Sequence, residues 1–178
     1  MKYCGQCGET IVIEIPAGDN RERHVCSVCT TVHYENPRII AGCLPVFERK
    51  VLLCKRAIEP RSGYWTLPAG FMENGETTSE GAIRECEEEA CFRPEIEKLY
   101  CLYNIPDINQ VYFFYLAHLK TPEFAAGEES LEVRLFSEEE IPWEELAFHT
   151  IRLTLQHYFE DRKTGSFPFR EKDLVRRF

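Results

Sequence analysis

The chain has 178 residues, of which 44% are hydrophobic and 12% aromatic, and its formal net charge is −9. That composition excludes a disordered chain, and the length fits one ordinary domain plus a small module. The acidic balance argues against a broad nucleic-acid groove, which needs clustered Lys and Arg, but not against a small anion, because a bound metal inverts the local field.

The chain opens on two C-x2-C pairs, Cys4-Gly5-Gln6-Cys7 and Cys26-Ser27-Val28-Cys29, with eighteen residues between them. Each pair can turn through a tight knuckle and offer two thiolates to one ion, and four thiolates complete the closed tetrahedral shell of structural Zn²⁺. Gly5 and Gly8 supply freedom for the knuckle. The β-branched run Thr10–Ile15 reads as a hairpin strand and Ala17-Gly18-Asp19-Asn20 as its turn. A redox C-x-x-C or a pair of disulfides is the weaker alternative, because no βαβ pattern surrounds either pair. His24 and His33 flank the second pair and are read as ordinary ribbon or linker residues, since four thiolates already fill the shell. A ribbon of residues 1–35 is too small to bury a sufficient core and needs such a staple.

Asn36-Pro37 is a linker signal. Ile39–Val46 and Lys50–Lys55 read as strands joined by a turn at Phe47-Glu48-Arg49-Lys50, Ile58–Gly63 as a loop, and Tyr64–Leu67 as a short strand. A helix follows, with Thr77 or Thr78 as its cap and Glu80 in the first turn. At about 100° per residue, Glu85, Glu88 and Glu89 crowd within an arc of roughly 100°. Like charges so placed repel unless a cation sits between them, and a hard divalent ion suits clustered carboxylate oxygens. The opposite stripe, Ser79, Ile83, Cys86 and Ala90, is small and fit to pack on a sheet.

Arg93-Pro94 ends that helix. Ile96–Asn104 and Gln110–Lys120 read as strands, Pro122–Ser130 as a loop, and Leu131–Phe136 as a strand of period two. Ser137-Glu138-Glu139-Glu140 reads as a helix start. Phe148–Asp161 is an amphipathic helix with Ile151, Leu155 and Tyr158 on one stripe. From Arg162 onward the tail is basic and loosely patterned. Strands flanking one carboxylate helix, then a last helix, suggest an α/β fold with a mixed sheet between helices. Beyond the ribbon, Cys43, Cys54, Cys86, Cys91 and Cys101 form an odd set in apolar runs, so a reduced, cytoplasmic compartment is expected. No secretory apolar core and no long apolar span is visible, so no membrane partner is expected.

Five residues separate Gly70 from Glu76, and seven separate Glu76 from Arg84-Glu85-Cys86-Glu87-Glu88-Glu89. With Phe92, this run resembles the Nudix box, G-x5-E-x7-R-E-U-x-E-E-x-G-U, where U is a bulky apolar residue. Two positions depart. Cys86 stands where a larger aliphatic residue is usual, a mild change. Cys91 replaces the second glycine, and a non-glycine residue in a left-handed helix cap costs roughly 1–2 kcal/mol. The resemblance implies an α/β/α sandwich over residues 36–161, preceded by the zinc ribbon and followed by a tail at 162–178. Three stretches, Ser62–Phe71, Ile105–Val111 and Glu129–Phe136, look like the branch that cleaves FAD and ADP-ribose. The run of SQPWPFPxS type usual in the related NADH-pyrophosphatase branch is absent.

The resemblance further implies hydrolysis of a diphosphate joining a nucleoside to another moiety, releasing AMP plus FMN or ribose 5-phosphate, with Mg²⁺ or Mn²⁺. Glu88 and Glu89 would be metal ligands, Glu85 a ligand or the base, and the Gly70 carbonyl a further ligand. Arg84, partnered by Glu76, would orient the glutamates, and Glu129, with Glu132 second, would add a carboxylate from outside the box. Glu73, Glu80 and Glu87 read as surface charges. Trp65, Tyr112, Phe148 and Tyr64 are candidates for stacking on a base, though core packing is the stronger reading for each. Arg56 and Arg61 lie on the approach to the box and can meet the diphosphate or simply face solvent. A small-molecule substrate and a homodimer follow from the same resemblance. The alternatives are an NADH or NAD-cap hydrolase, a hydrolase of oxidised nucleoside triphosphates, and a sensor that holds a nucleotide without cutting it.

Overall fold

The computed structural model describes residues 1–175, which form two compact units divided after Pro37. In the first, β1 (Ile11–Glu14), β2 (Arg23–Cys26) and β3 (Val32–His33) make a three-stranded antiparallel sheet. Each C-x2-C pair is closed by a backbone bond, Gly8 N–H to the Cys4 carbonyl at 2.9 Å and Thr30 N–H to the Cys26 carbonyl at 3.1 Å. Gly8 (φ 79°) and Thr30 (φ 58°) both take left-handed backbone there, which glycine adopts without the Cβ penalty that Thr30 bears.

The second unit contains β4 (Arg38–Phe47), β5 (Lys50–Arg56), β6 (Trp65–Thr66), β7 (Ala69–Phe71), α1 (Thr78–Ala90), β8 (Glu95–Ile105), β9 (Gln110–His118), β10 (Ser130–Phe136), α2 (His149–Thr164) and β11 (Arg170–Asp173). The sheet runs β10-β5-β4-β9-β8-β11, with β6 beside β5 and β7 beside β4. It is mixed: β4 and β9 are parallel, as are β8 and β11, and the other pairings are antiparallel.

Strand alternation sorts the apolar residues into two cores. Leu44, Val46, Val51, Leu53, Phe114 and Leu116 pack under α2 with Ile151, Leu155, Tyr158 and Phe159. Residues of the opposite strand face, Ala41, Cys43, Leu52, Cys54 and Ala117, pack under α1 with Ala82, Cys86 and Ala90. A sheet buried on both faces between two helices is the α/β/α sandwich that the resemblance implied. The buried stripe of α1 is Gly81, Ala82, Cys86 and Ala90, whereas Ser79 and Ile83 are only half-buried. These small residues let the helix lie close to β4.

Thr77 is the α1 cap and forms a reciprocal capping box with Glu80. At the other end Cys91 occupies the left-handed position (φ 52°, ψ 34°) that the box normally gives to glycine, and its N–H bonds to the Glu87 carbonyl at 3.2 Å. The chain adopts the glycine geometry without the glycine. The Ser137–Glu140 start yields only a 3₁₀ turn, Glu138–Glu140.

The tail is more ordered than its composition suggests. The final helix runs to Thr164, closed by Gly165 (φ 72°), and β11 then adds a parallel edge strand to β8. Buried Asp161 holds it there: Tyr100 donates its hydroxyl proton at 2.6 Å, and Arg170 grips both carboxylate oxygens. Phe167 stacks on Tyr158 with centroids 5.7 Å apart. Residues 176–178 of the expected tail lie outside the described residues.

Burial alone would push the Asp161 carboxyl up, but the bonds from Arg170 and Tyr100 together hold it below the usual range. A depressed carboxylate stabilises the fold above its unfolded value of about 4, and that contribution is lost as pH falls through the folded value. Asp161→Asn should therefore cost about 3 kcal/mol near neutral pH. In paired denaturant titrations, the gap to the native chain should narrow below about pH 4; a gap independent of pH contradicts this account.

Candidate active site

The centre of the site is the guanidinium of Arg84. Its Nε and Nη2 bind the two oxygens of Glu76 at 3.1 and 2.8 Å, a fork-to-fork pair. Its Nη1 donates to Glu85 at 2.7 Å and to Glu88 at 2.9 Å, and Nη2 also donates to the Phe71 carbonyl at 3.0 Å. One side chain thus ties three carboxylates of the box and the end of β7 together. Arg84 hydrogen bonds hold the Glu76 carboxyl below the usual range, and Glu76 in return raises the arginine further above its own.

The glutamates differ in burial. Glu88 is exposed, while Glu85 and Glu89 are buried. Burial pushes Glu85 up despite Arg84. Glu89, deeper still and facing Glu85, is pushed up to about 8, with only the Ala69 N–H at 3.3 Å and nearby Arg56 opposing the shift. Glu129 adds its charge to both Glu85 and Glu89. It is exposed, in the turn before β10 and outside the box. Glu132, the second choice, is exposed opposite Lys55 in the β10–β5 register. Glu73 and Glu87 are exposed, and Glu80 is committed to the capping box.

Gly70 lies directly over the Glu85 carboxylate, where any side chain would collide with it. A side chain here would push the Glu85 carboxylate out of its place. The oxygen donors gathered here are hard and anionic, and buried Glu85 and Glu89 repel each other, offset only in part by Arg84 at Glu85 and Arg56 near Glu89. That donor set fits a divalent ion of the Mg²⁺ or Mn²⁺ type. The carboxylates do not converge on a point. Among the described residues, the group of possible metal ligands found within 4.8 Å of one another is Cys4, Cys7, Cys26 and Cys29.

Those four sulfurs form the ribbon's own site. Cys7 lies 3.5 Å from Cys26 and 3.4 Å from Cys29, and Cys4 lies 3.7 Å from Cys29. Backbone N–H groups of Gln6 and Cys29 point at Cys4 and Cys26. The Thr31 hydroxyl lies 3.1 Å from Cys29, and hydrogen bonding from Thr31 pulls that thiol down to about 6. The donor set and its spacing fit a tetrahedral soft-metal ion. His33 is not the bystander expected: its Nε2 lies 3.2 Å from the Cys4 sulfur. The β2–β3 register sets it there, and no spacing rule points to it.

Of the aromatic candidates, Trp65 is 4% exposed and packed edge-on against Phe136, so it belongs to the core. Tyr64, Tyr112 and Phe148 are half-buried. Arg56 stacks over the Phe148 ring at 5.3 Å and bonds to the Pro60 carbonyl, and its charge is felt by both Glu89 and Tyr112. Arg61 is exposed and lies over Tyr64.

The left-handed Cys91 sits at the end of the helix that carries the glutamates. Relief of its Cβ strain, about 1–2 kcal/mol, exceeds the unfolded-state entropy that glycine adds, about 0.4–1 kcal/mol. Cys91→Gly should raise stability by several tenths of a kcal/mol or more, measured by chemical denaturation. A destabilised Cys91→Gly protein contradicts the strain argument.

Comparison with known proteins places the fold in a family. The family model described as the NUDIX domain matches residues 36–162, and the one described as Nudix N-terminal, a zinc ribbon, matches residues 2–35. A NUDIX hydrolase from Nitrosomonas europaea superposes with a TM-score of 0.95 at 51% identity, covering 99% of this chain and 100% of that one. The ADP-ribose pyrophosphatase of Methanocaldococcus jannaschii is 30% identical over 119 residues, 65% of this chain and 69% of that protein. The NAD-capped RNA hydrolase NudC of Vibrio vulnificus is 38% identical over 96 residues, and this match covers 50% of the present chain and 32% of that protein. Among the described residues no helix is long and apolar enough to cross a membrane. The chain therefore belongs to the Nudix hydrolase family, as a pyrophosphohydrolase whose Nudix domain follows a family-type zinc ribbon.

Proposed function

We propose that this hydrolase cleaves the diphosphate of ADP-ribose or FAD, releasing AMP together with ribose 5-phosphate or FMN. The observation that carries the proposal is the cluster of Glu85 and Glu88 on Arg84 with buried Glu89 beside them, flanked by Arg56 and aromatic rings suited to an aromatic dinucleotide. The likeness to the ADP-ribose pyrophosphatase supports the same substrate class.

On this reading Glu88, Glu89 and Glu129, with the Gly70 carbonyl, hold Mg²⁺ or Mn²⁺. When bound, the ions neutralise charge on the phosphoryl oxygens and lower the pKa of the attacking water. Glu85 is a further ligand or the base that takes the water proton; its burial keeps its affinity for a proton above that of an ordinary carboxylate. Arg84 touches no reacting atom and fixes the angle of Glu85 and Glu88. Arg56 offers its guanidinium to the diphosphate, and Phe148 and Tyr112 offer ring faces to the base.

The four ribbon thiols hold one Zn²⁺ with no open position, so the ion is structural. Metal analysis of the purified chain should find about one zinc per chain, and a zinc-free Cys4→Ser protein of unchanged stability contradicts that role. The odd set of five cysteines outside the ribbon supports a reducing, cytoplasmic setting; a homodimer belongs to the same family reading.

An NADH or NAD-cap hydrolase is the second reading, carried by the likeness to NudC. The missing SQPWPFPxS-type run and the net charge of −9 weigh against it. A nucleotide sensor is the third reading, favoured by Cys91 in place of the box glycine; the complete Arg84-Glu85-x-x-Glu88-Glu89 run and the acidic charge weigh against it.

Glu88 is exposed, so Glu88→Gln should leave the fold and its melting temperature intact. Metal-dependent turnover should fall about a hundredfold or more, the equivalent of roughly 3 kcal/mol of lost charge stabilisation. Unchanged turnover sinks the assignment of this helix as the metal-binding element.

A further inference from the structure

We propose that Gly127 is a positioning residue that brings Glu129 into the carboxylate pocket by hanging its loop on the C-terminus of α1. The inference rests on the role of Glu129 proposed above.

The last carbonyls of a helix lack partners within it. Here the Cys91 N–H takes that of Glu87, and those of Glu89 and Ala90 are met from the loop before β10. The Ala125 N–H bonds to the Ala90 carbonyl at 3.1 Å and the Gly127 N–H to the Glu89 carbonyl at 3.1 Å. Gly127 comes so close that a Cβ on it would overlap the carbonyl oxygen of Glu88 and lie 2.8 Å from the carbonyl carbon. The obstacle is backbone, not the movable end of a side chain. Gly127 does not have a left-handed φ, so glycine is needed here for approach and not for conformation.

From that anchor the chain makes a turn, with the Ser130 N–H bonded to the Gly127 carbonyl at 3.1 Å, and Glu128 and Glu129 form its tip. A second fastening, the Ala57 N–H to the Glu129 carbonyl at 2.8 Å, ties the tip to the end of β5. Phe124 packs into the core under α1 from the other end of the loop. Glu129 is exposed at this tip, two residues from the glycine that lies against the backbone of Glu88 and Glu89. The carbonyls that grip the loop belong to Glu89 and Ala90, and that of Glu88 packs directly against Gly127. One short stretch of backbone therefore carries two proposed ligands on its side chains and fixes a third through its carbonyls.

The test is Mn²⁺ binding to the full chain, followed by calorimetry or electron paramagnetic resonance, in a double-mutant cycle of Gly127→Ala and Glu129→Gln. Each single variant should lose affinity by about tenfold, the usual scale for a residue that orients a metal ligand. The double variant should be no weaker than Glu129→Gln alone, because Gly127 acts only through Glu129. Losses that multiply, or a Gly127→Ala chain with native Mn²⁺ affinity, overturn the proposal. If Glu129→Gln alone leaves Mn²⁺ affinity unchanged, the positioning role falls too, while the Glu88→Gln kinetics still report on the hydrolase reading. Should Gly127→Ala fail to fold, amide exchange on the native chain decides: Mn²⁺ should slow exchange in the segment 124–130, and Glu129→Gln should abolish that protection. An equal response to Mn²⁺ in both proteins overturns the proposal.

Discussion

The site depends on one guanidinium. Remove Arg84, and Glu76, Glu85 and Glu88 face one another with no cation between them, two of them with side chains less than one-sixth exposed. Clustered like charges at that burial raise one another's pKa and push the helix apart. Arg84 permits the cluster because its planar fork serves several acceptors at fixed angles, which an ammonium on a flexible stem does not. The Phe71 carbonyl extends the same network to β7, so the strand carrying Gly70 and the helix carrying the glutamates are held as one piece.

Around that network the fold solves a packing problem with small residues. A sheet buried on both faces needs a helix on each, and the helix bearing four glutamates in its last six residues has little apolar surface to offer. Ala82, Cys86 and Ala90 make up for it by lying close to Ala41 and Cys43 of β4. Gly70 and Gly127 make the same kind of accommodation at the site itself, one above a carboxylate and one against a carbonyl. The cost appears at Cys91, where a left-handed cap is built from a residue with a Cβ.

Much of this was legible in the sequence, for identifiable reasons. The spacing of the box located α1 and its charged face, and the β-branched and aromatic runs located β4, β5, β8 and β9. The paired C-x2-C motifs located the ribbon site. What escaped was set by tertiary register. Residues 170–173 are Arg-Glu-Lys-Asp, without any apolar alternation, and become a strand because Asp161 and Tyr100 capture Arg170. His33 meets Cys4 only through strand pairing. Trp65 reads equally as a stacking platform or a core residue until Phe136 is seen against it. Gly127 looks like any loop glycine until the helix end is placed behind it.

The most direct test of the central claim is a hydrolysis panel with the native chain: ADP-ribose, FAD, NADH, NAD-capped RNA and an oxidised nucleoside triphosphate, each with Mg²⁺, with Mn²⁺ and with chelator. The account predicts cleavage only with added metal, fastest for ADP-ribose or FAD, with AMP as one product. Preference for NADH or capped RNA would retain the site and overturn the substrate. Failure to cleave any of the five in the presence of metal would contradict the account of the carboxylate cluster as a working hydrolase centre.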